Sequence, residues 1–173
     1  MAVPQGRRSP RKRGRANSDA ERRALAKASG RRSGPPPRAP RPGFAVLSTD
    51  GGSRGNPGPA AIGFVLIDEG VVLAEGAHPI GVATAALAEY RAVLAGLTAA
   101  LDARVDSLEV RTDSRLLVAH MRGEAPVRSE PIALLADEIR SLAPRFALLH
   151  YRWVPEAENG AAHPLAQLAL RLA

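Results

Sequence analysis

The chain of 173 residues contains no cysteine. Disulfide bonds and metal sites built on thiolates are therefore excluded. A reducing compartment suits this composition, and we expect a cytoplasmic, monomeric protein. No apolar run approaches the length that spans a bilayer, and no apolar segment follows the basic N-terminus as it would in a secretory signal. We therefore expect no membrane contact, and the length is that of one domain with its own core.

Positive charge is concentrated at one end of the chain. Residues 1–42 contain 13 basic and two acidic residues, whereas residues 43–173 contain 11 arginines and 15 acidic residues. The first part is rich in Arg and Pro, which predicts a disordered arm and linker, with a capping-box spacing that favours a short helix over residues 19–29. Basic arms release counterions from phosphates, so we expect this one to contact nucleic acid. The alternative is a solubilising or targeting tail.

Hydrophobic periodicity predicts an α/β domain over residues 43–173. Strands are expected at 44–50, 61–67, 71–77, 107–112 and 146–154, and helices at 85–102, 114–122, 131–142 and 161–172. The first three strands are joined by short turns, which indicates an antiparallel meander. The alternation in the fourth strand predicts that one of its faces is open. In the first long helix, a leucine-rich stripe is expected to face the core (Leu87, Tyr90, Leu94, Leu97 and Leu101).

Three carboxylates come from separate elements. Asp50 ends the first strand, before a turn of Gly, Ser, Asn and Pro, and Asp113 follows the fourth strand. Glu89 lies on a strip of small residues in the first long helix, where it needs a partner. If strands one and four are neighbours, their ends lie about 5 Å apart. Three adjacent carboxylates repel each other unless cations hold them, and oxygen ligands favour Mg²⁺ or Mn²⁺. The sequence permits this geometry without establishing it.

Four stretches carry a resemblance to a known family, in the right order over the region from Phe44 to the C-terminus. They are Thr49-Asp50-Gly51-Gly52-Ser53-Arg54-Gly55-Asn56-Pro57-Gly58-Pro59-Ala60, Ala88-Glu89-Tyr90-Arg91-Ala92 followed by Ala95-Gly96-Leu97, Thr112-Asp113-Ser114, and Val154-Pro155 with Asn159 and Leu165-Ala166. This region resembles the ribonuclease H type 1 family. The resemblance implies a five-stranded mixed sheet flanked by helices, with strands one to three antiparallel and strands four and five parallel to strand one. The basic protrusion of longer members is absent.

The resemblance also implies an activity and a set of site residues. It implies an endoribonuclease that hydrolyses the RNA strand of RNA–DNA hybrids with two Mg²⁺ or Mn²⁺ ions. Asp50, Glu89 and Asp113 would be catalytic metal ligands. The resemblance implies that the turn and Asn56 contact the minor groove of the hybrid. The residues of the turn assigned to substrate are Gly51, Gly52, Ser53 and Arg54. Thr84 is assigned to a phosphate of the DNA strand, and Ser114 is also assigned to substrate.

Two departures from the family pattern matter. His163 stands where the family has its fourth metal-site Asp, and the resemblance assigns it a catalytic and metal-binding place. An imidazole adds no negative charge, so we expect weaker Mg²⁺ binding and relatively better use of Mn²⁺; the alternative is a surface histidine at a helix start. Ala85-Ala86 replaces a pair of polar residues. The loop before the last helix has no histidine, so Glu156, Glu158 or His163 is a candidate for its role in turnover.

These departures leave other functions open. One alternative is a nucleic-acid-binding module that keeps the fold but has a weakened or inactive site. Another is a nuclease acting on other duplexes, since a fold does not fix a substrate.

Overall fold

A computed structural model of the protein describes residue 39 and residues 41–173. The basic arm, its helix predicted over residues 19–29 and most of the linker lie outside the described residues. Five strands form one sheet: β1 (Ala45–Ser53), β2 (Gly58–Asp68), β3 (Val71–Ala83), β4 (Ser107–Thr112) and β5 (Leu148–Trp153). Their order is β3-β2-β1-β4-β5. β1, β2 and β3 are antiparallel, and β4 and β5 run parallel to β1. The predicted mixed sheet is confirmed.

Four α-helices complete the described domain: α1 (Ala85–Asp102), α2 (Arg115–Met121), α3 (Glu130–Leu142) and α4 (His163–Arg171). Thr84 and Ser114 are the N-caps of α1 and α2, since each hydroxyl accepts a hydrogen bond from the amide three residues later. Short 3₁₀ turns follow α3 and β5, at Ala143–Arg145 and Glu156–Glu158. The last helix starts at His163, two residues later than predicted, with Pro164 in its first turn.

The two faces of the sheet are covered by different helices. On the face that we call the α1 face, α1 and α3 enclose the main core, which includes Leu47, Leu66, Leu97, Leu108 and Val110. On the opposite face, which we call the α4 face, Ala61 of β2 packs against Ala169 and Leu170 of α4. The α4 helix covers β1, β2 and β3.

Three details of the prediction are wrong. β1 does not end on Asp50, because its pairing with β2 continues as far as Ser53 opposite Ala60. β3 likewise runs on to Ala83, since the long β2 provides partners along its whole length. β4 has no open face, because Glu109 and Arg111 are buried, as are Leu108 and Val110 on the opposite face.

The helix stripe predicted for α1 is also only partly correct. Tyr90 and Leu97 are buried, whereas Leu87, Leu94 and Leu101 are half-buried. The residues that lie deepest are the small ones beside Glu89, namely Ala88, Ala92, Val93, Gly96 and Ala100. Small side chains allow the helix axis to approach the sheet, so the strip carrying Glu89 faces the strands. Among the described residues, no helix is both long and apolar enough to cross a membrane.

Candidate active site

Asp50 occupies the middle of β1, and the residue after it sets how closely α1 can approach. Asp50 pairs with Gly63 of β2 and lies on the α4 face, 6% exposed. Gly51 lies on the other face, against the backbone of α1. A Cβ built on Gly51 would be 2.3 Å from the carbonyl carbon of Ala88 and 2.4 Å from the amide nitrogen of Glu89. The missing side chain of Gly51 therefore brings the Glu89 backbone directly against β1.

The three predicted carboxylates meet just past the end of β4. β4 stops at Thr112, whereas β1 continues to Ser53. In the space beyond β4, Asp50, Glu89 and Asp113 each present a ligand oxygen, and these oxygens lie within 4.8 Å of one another. Asp50 is buried, and the other two are half-buried. We call these three residues the carboxylate cluster.

Burial raises the pKa values of all three groups, and the charge of a neighbouring carboxylate adds to each rise. The pKa of Asp50 is raised to about 6. Burial is the main cause, the charge of Asp113 adds to the rise, and His163 opposes it. Burial, then the charges of Asp50 and Asp113, raise the pKa of Glu89 to about 9. The pKa of Asp113 is raised by burial and, to a smaller extent, by Glu156. The site therefore holds more negative charge than its surroundings stabilise.

The donor set fits hard divalent cations. All three residues offer carboxylate oxygens, which Mg²⁺ and Mn²⁺ prefer. Oδ1 of Asp113 is buried without a hydrogen-bond partner among residues 41–173. A buried acceptor without a partner is costly, and a bound cation would satisfy it. Asp50, Glu89 and Asp113 are therefore the residues that could hold metal ions here.

His163 lies beside this cluster rather than on the open surface. It is the first residue of α4, and its Nδ1 lies 2.9 Å from Oδ2 of Asp50. Its Nε2 lies 3.4 Å from Oε1 of Glu156, a largely exposed side chain. The imidazole thus bridges one carboxylate of the cluster and one carboxylate from the loop before α4. The side chain of His163 is only 17% exposed, so it is not the surface histidine of the alternative prediction.

The turn predicted to bind substrate is tied to two helices. Oδ1 of Asn56 accepts a hydrogen bond of 3.2 Å from the amide of Ala85, at the start of α1. The guanidinium of Arg54 donates to the carbonyl of Leu170 near the end of α4. Gly52 has open space where a side chain would be, and Ser53 bonds within the turn. Arg54 therefore has a structural contact that its assignment to substrate did not foresee.

Thr84 and Ser114 lie at the same cavity. It has a volume of about 630 Å³ and is enclosed by the start of α1, by α2 and by the segment that leads into α3. Its walls are mostly apolar, and at its buried side the hydroxyl of Tyr90 contacts Nδ1 of His120 at 2.5 Å. Its lining includes Tyr90, which follows Glu89, and Ser114, which follows Asp113, so the cavity adjoins the carboxylate cluster along the chain.

Three supporting side chains were not foreseen from the sequence. The hydroxyl of Thr112 donates to Oε2 of Glu89 at 3.4 Å. The indole of Trp153 donates to the carbonyl of Asp113 at 3.0 Å, with the guanidinium of Arg115 stacked 4.0 Å from the ring centre. Nδ2 of the fully buried Asn159 donates to the carbonyl of Thr49 at 2.8 Å, which fixes the loop before α4 against β1. Each partner is remote in sequence, so no local pattern could have identified it.

Comparison with known proteins agrees with this fold. The reverse transcriptase-like family model matches residues 48–169. The chain is 42% identical over 127 residues to the bifunctional protein Rv2228c of Mycobacterium tuberculosis. The aligned region covers 72% of this chain and 35% of that protein. The chain is also 41% identical over 122 residues to ribonuclease HI of Halobacterium salinarum, covering 70% of this chain and 61% of that protein. The chain thus spans about a third of the first relative's length.

Solved structures extend the likeness to three dimensions. The N-terminal RNase H domain of Rv2228c superposes with a TM-score of 0.72 at 40% identity, covering 73% of this chain and 98% of that one. RNase H1 of Halobacterium salinarum gives a TM-score of 0.72 at 39% identity, with 75% and 99% covered. The fold and the carboxylate cluster define a ribonuclease H-like domain. The chain belongs to the reverse transcriptase-like family.

Proposed function

We propose that this protein is a metal-dependent endoribonuclease that hydrolyses the RNA strand of RNA–DNA hybrids. The observation that carries the proposal is the meeting of Asp50, Glu89 and Asp113 within 4.8 Å. It is supported by the similarity to ribonuclease HI. A structure named as LC11-RNase H1 in complex with RNA/DNA hybrid is also similar, with a TM-score of 0.69 and 33% identity over 74% of this chain and 97% of that one.

The chain's own residues would prepare the site for two divalent ions. When bound, such ions supply a hydroxide nucleophile near neutral pH and stabilise the leaving oxygen of the phosphodiester. Asp50, Glu89 and Asp113 would hold them. The Thr112 hydroxyl orients Glu89, and the Trp153 indole holds the backbone at Asp113. With a pKa raised to about 9, Glu89 carries a proton at neutral pH that must leave before it becomes a ligand.

His163 would set the preference between ions. It contacts Asp50 directly, so it either shares in ion binding or orients that carboxylate. A neutral nitrogen ligand suits Mn²⁺ better than Mg²⁺. We propose that Mn²⁺ supports the reaction at lower concentration than Mg²⁺ does.

A single set of assays tests the activity. The protein is incubated with an RNA–DNA hybrid, double-stranded RNA and double-stranded DNA, each with Mg²⁺ or Mn²⁺, beside an Asp113→Asn variant. We expect cleavage of the RNA strand of the hybrid and a loss of at least about 100-fold in the variant, since the ion ligand is removed. Hybrid binding without cleavage would favour the non-catalytic alternative, and cleavage of double-stranded RNA alone would overturn the substrate assignment.

The N-terminal arm is proposed to strengthen binding to the same substrate. Its charge is opposite in sign to that of the acidic remainder of the chain. For each phosphate contact that is lost, the slope of log binding constant against log salt concentration becomes shallower by about 0.9. A variant lacking residues 1–38 keeps Arg41 and should bind the hybrid more weakly, with a shallower dependence on salt. An unchanged salt dependence would contradict this role.

A further inference from the structure

A second cluster of buried charge lies on the α4 face, on the part of the sheet formed by β4 and β5. Glu109 is fully buried, and its Oε1 lies 2.8 Å from both Nε and Nη2 of Arg111 and 3.2 Å from Nη1 of Arg152. Its Oε2 lies 3.4 Å from Nε of Arg41. We call these four residues the ion cluster. It contains one negative and three positive charges.

The ion cluster adjoins the carboxylate cluster along the same strands. Arg111 is the register neighbour of Ser48 in β1, and side chains two residues apart along a strand share a face. Arg111 therefore shares the α4 face with Asp50, at a diagonal separation of about 8 Å between backbones. Along β4, Arg111 lies midway between Glu109 and Asp113. A flexible arginine at this position has carboxylates available on both sides.

In the structure, Arg111 pairs with Glu109 and not with the carboxylate cluster. Its Nη2 is buried and makes no well-aligned hydrogen bond to any described residue, although it lies close to Oε1 of Glu109. The guanidinium thus retains a spare donor. The neighbouring side chain that lowers the pKa values of Asp50 and Asp113 is His163.

We propose that Glu109 is a positioning residue for the metal site, because it holds the guanidinium of Arg111 away from Asp50 and Asp113. Without the Glu109 carboxylate, a buried guanidinium would have lost its partner, and an uncompensated buried charge is strongly disfavoured. Asp50 and Asp113 are then the nearest anions on the same face. An arginine that reached them would neutralise the carboxylates and compete with divalent ions. This inference rests on the proposed function, since it takes the carboxylate cluster to be a metal site.

The test measures metal binding rather than nuclease activity. The dissociation constant for Mn²⁺ is measured by titration calorimetry on the metal-free full chain and on the Glu109→Gln variant. We expect the variant to bind Mn²⁺ about ten-fold more weakly, because a competing charge near 4 Å is worth several kT in this environment. The Glu109→Gln/Arg111→Gln double variant should recover most of the wild-type affinity, since the competing cation has been removed.

The controls separate this role from a general loss of structure. Arg152→Gln removes a cation that pairs with the same carboxylate but lies one strand further from Asp50, so it should leave Mn²⁺ affinity within about two-fold. Circular dichroism establishes that each variant is folded. If Glu109→Gln does not fold, Glu109→Met, which also lacks the carboxylate, replaces it, alone and with Arg111→Gln, with the same expected order of affinities.

Two results would overturn the proposal. One is unchanged Mn²⁺ affinity in the folded single variant, and the other is weakened affinity that the double variant does not restore. A wild-type chain that binds no Mn²⁺ would instead contradict the proposed function itself, so the two failures are distinguishable.

Discussion

The ion cluster and the carboxylate cluster occupy adjoining parts of the same sheet, yet they balance charge in opposite ways. In the ion cluster, one carboxylate is surrounded by three guanidiniums. In the carboxylate cluster, three carboxylates share a single imidazole neighbour among the described residues. In the first, protein groups offset the negative charge of the carboxylate. The second leaves negative charge that protein groups do not offset.

This difference separates a cluster whose carboxylate is paired within the chain from one that is proposed to bind metal ions. Buried ions that find partners within the chain need nothing from solution. Carboxylates held together without partners have raised pKa values and are stabilised by whatever cation enters. Burial alone does not distinguish the two clusters, since Glu109 is more buried than any member of the carboxylate cluster. Charge balance does distinguish them.

The sharpest way to break the comparison is the same acid-to-amide change in each cluster. Glu109→Gln should lower the free energy of unfolding by about 3 kcal/mol, since it leaves buried guanidiniums without a counter-charge. Glu89→Gln in metal-free protein should leave stability nearly unchanged at neutral pH, because a pKa of about 9 means that the amide replaces a carboxyl that is already uncharged. Urea unfolding in the presence of EDTA measures both. Equal losses in the two variants would show that charge balance is not what distinguishes the clusters.

The pH dependence of stability should follow the carboxylate cluster. The pKa values of Asp50 and Glu89 are raised to about 6 and about 9, so the folded state keeps protons that the unfolded state has already released. Stability contributed by these groups is therefore present at low pH and is lost as pH rises through those values. We expect the free energy of unfolding of the metal-free protein to fall by several kcal/mol between pH 5 and pH 9, since each pKa unit corresponds to about 1.4 kcal/mol.

Added Mn²⁺ should flatten that pH dependence, since bound cations favour the ionised carboxylates. Glu89→Gln should also make it shallower. Urea unfolding at pH 5, 7 and 9, with EDTA or with Mn²⁺, gives the comparison. Stability that rises with pH in EDTA would contradict the assigned pKa shifts.

Replacing His163 with an acidic residue should increase the excess negative charge of the carboxylate cluster and improve its binding of Mg²⁺. His163→Asp adds a fourth negative charge beside Asp50, so we expect about ten-fold tighter Mg²⁺ binding, near 1.4 kcal/mol. The gain for Mn²⁺ should be smaller, because an oxygen ligand replaces a nitrogen that Mn²⁺ accepts well. Calorimetric titration with each ion measures the effect, and His163→Asn serves as the uncharged control. Equal gains for the two ions would contradict the proposed preference.

The smallest expected effect concerns the support of Asp113. Trp153→Phe removes the indole donor to the Asp113 carbonyl but keeps an aromatic ring beneath Arg115. The loss of one hydrogen bond should cost about 1 kcal/mol of stability. Hybrid cleavage should fall a few-fold if the bond also orients Asp113. A stability loss without any change in cleavage would limit Trp153 to a packing role.

Much of this arrangement was accessible from the sequence. Strand and helix periodicity placed Asp50, Glu89 and Asp113 in separate parts of the chain. The strand directions of the mixed sheet followed from the family resemblance, while its strand order was left open. The small residues around Glu89 indicated a close approach to other backbone, and the structure has Ala88 against Gly51. These predictions succeeded because they depend on local pattern.

The remaining features depend on partners that are distant in sequence. The alternation of Glu109 and Arg111 is typical of a solvent-facing strand, yet both residues are buried. Arg41 and Arg152 pair with the Glu109 carboxylate from distant parts of the chain. β1 extends past Asp50 because β2 supplies hydrogen-bond partners there. The contact between His163 and Asp50 depends on where the loop before α4 lies, and Asn159 fixes that loop by a hydrogen bond to Thr49. No periodicity encodes such contacts.

The close approach at Gly51 has a consequence for how the protein folds. Glu89 reaches Asp50 because the backbone of α1 lies directly on β1 at that glycine. The metal site therefore cannot exist before the helix has docked on the strand, and a bound ion stabilises docked chains alone. Mn²⁺ should slow unfolding by fastening the longest described helix to the central strand. The ion would then stabilise the docked helix late in folding, in addition to its proposed role in catalysis.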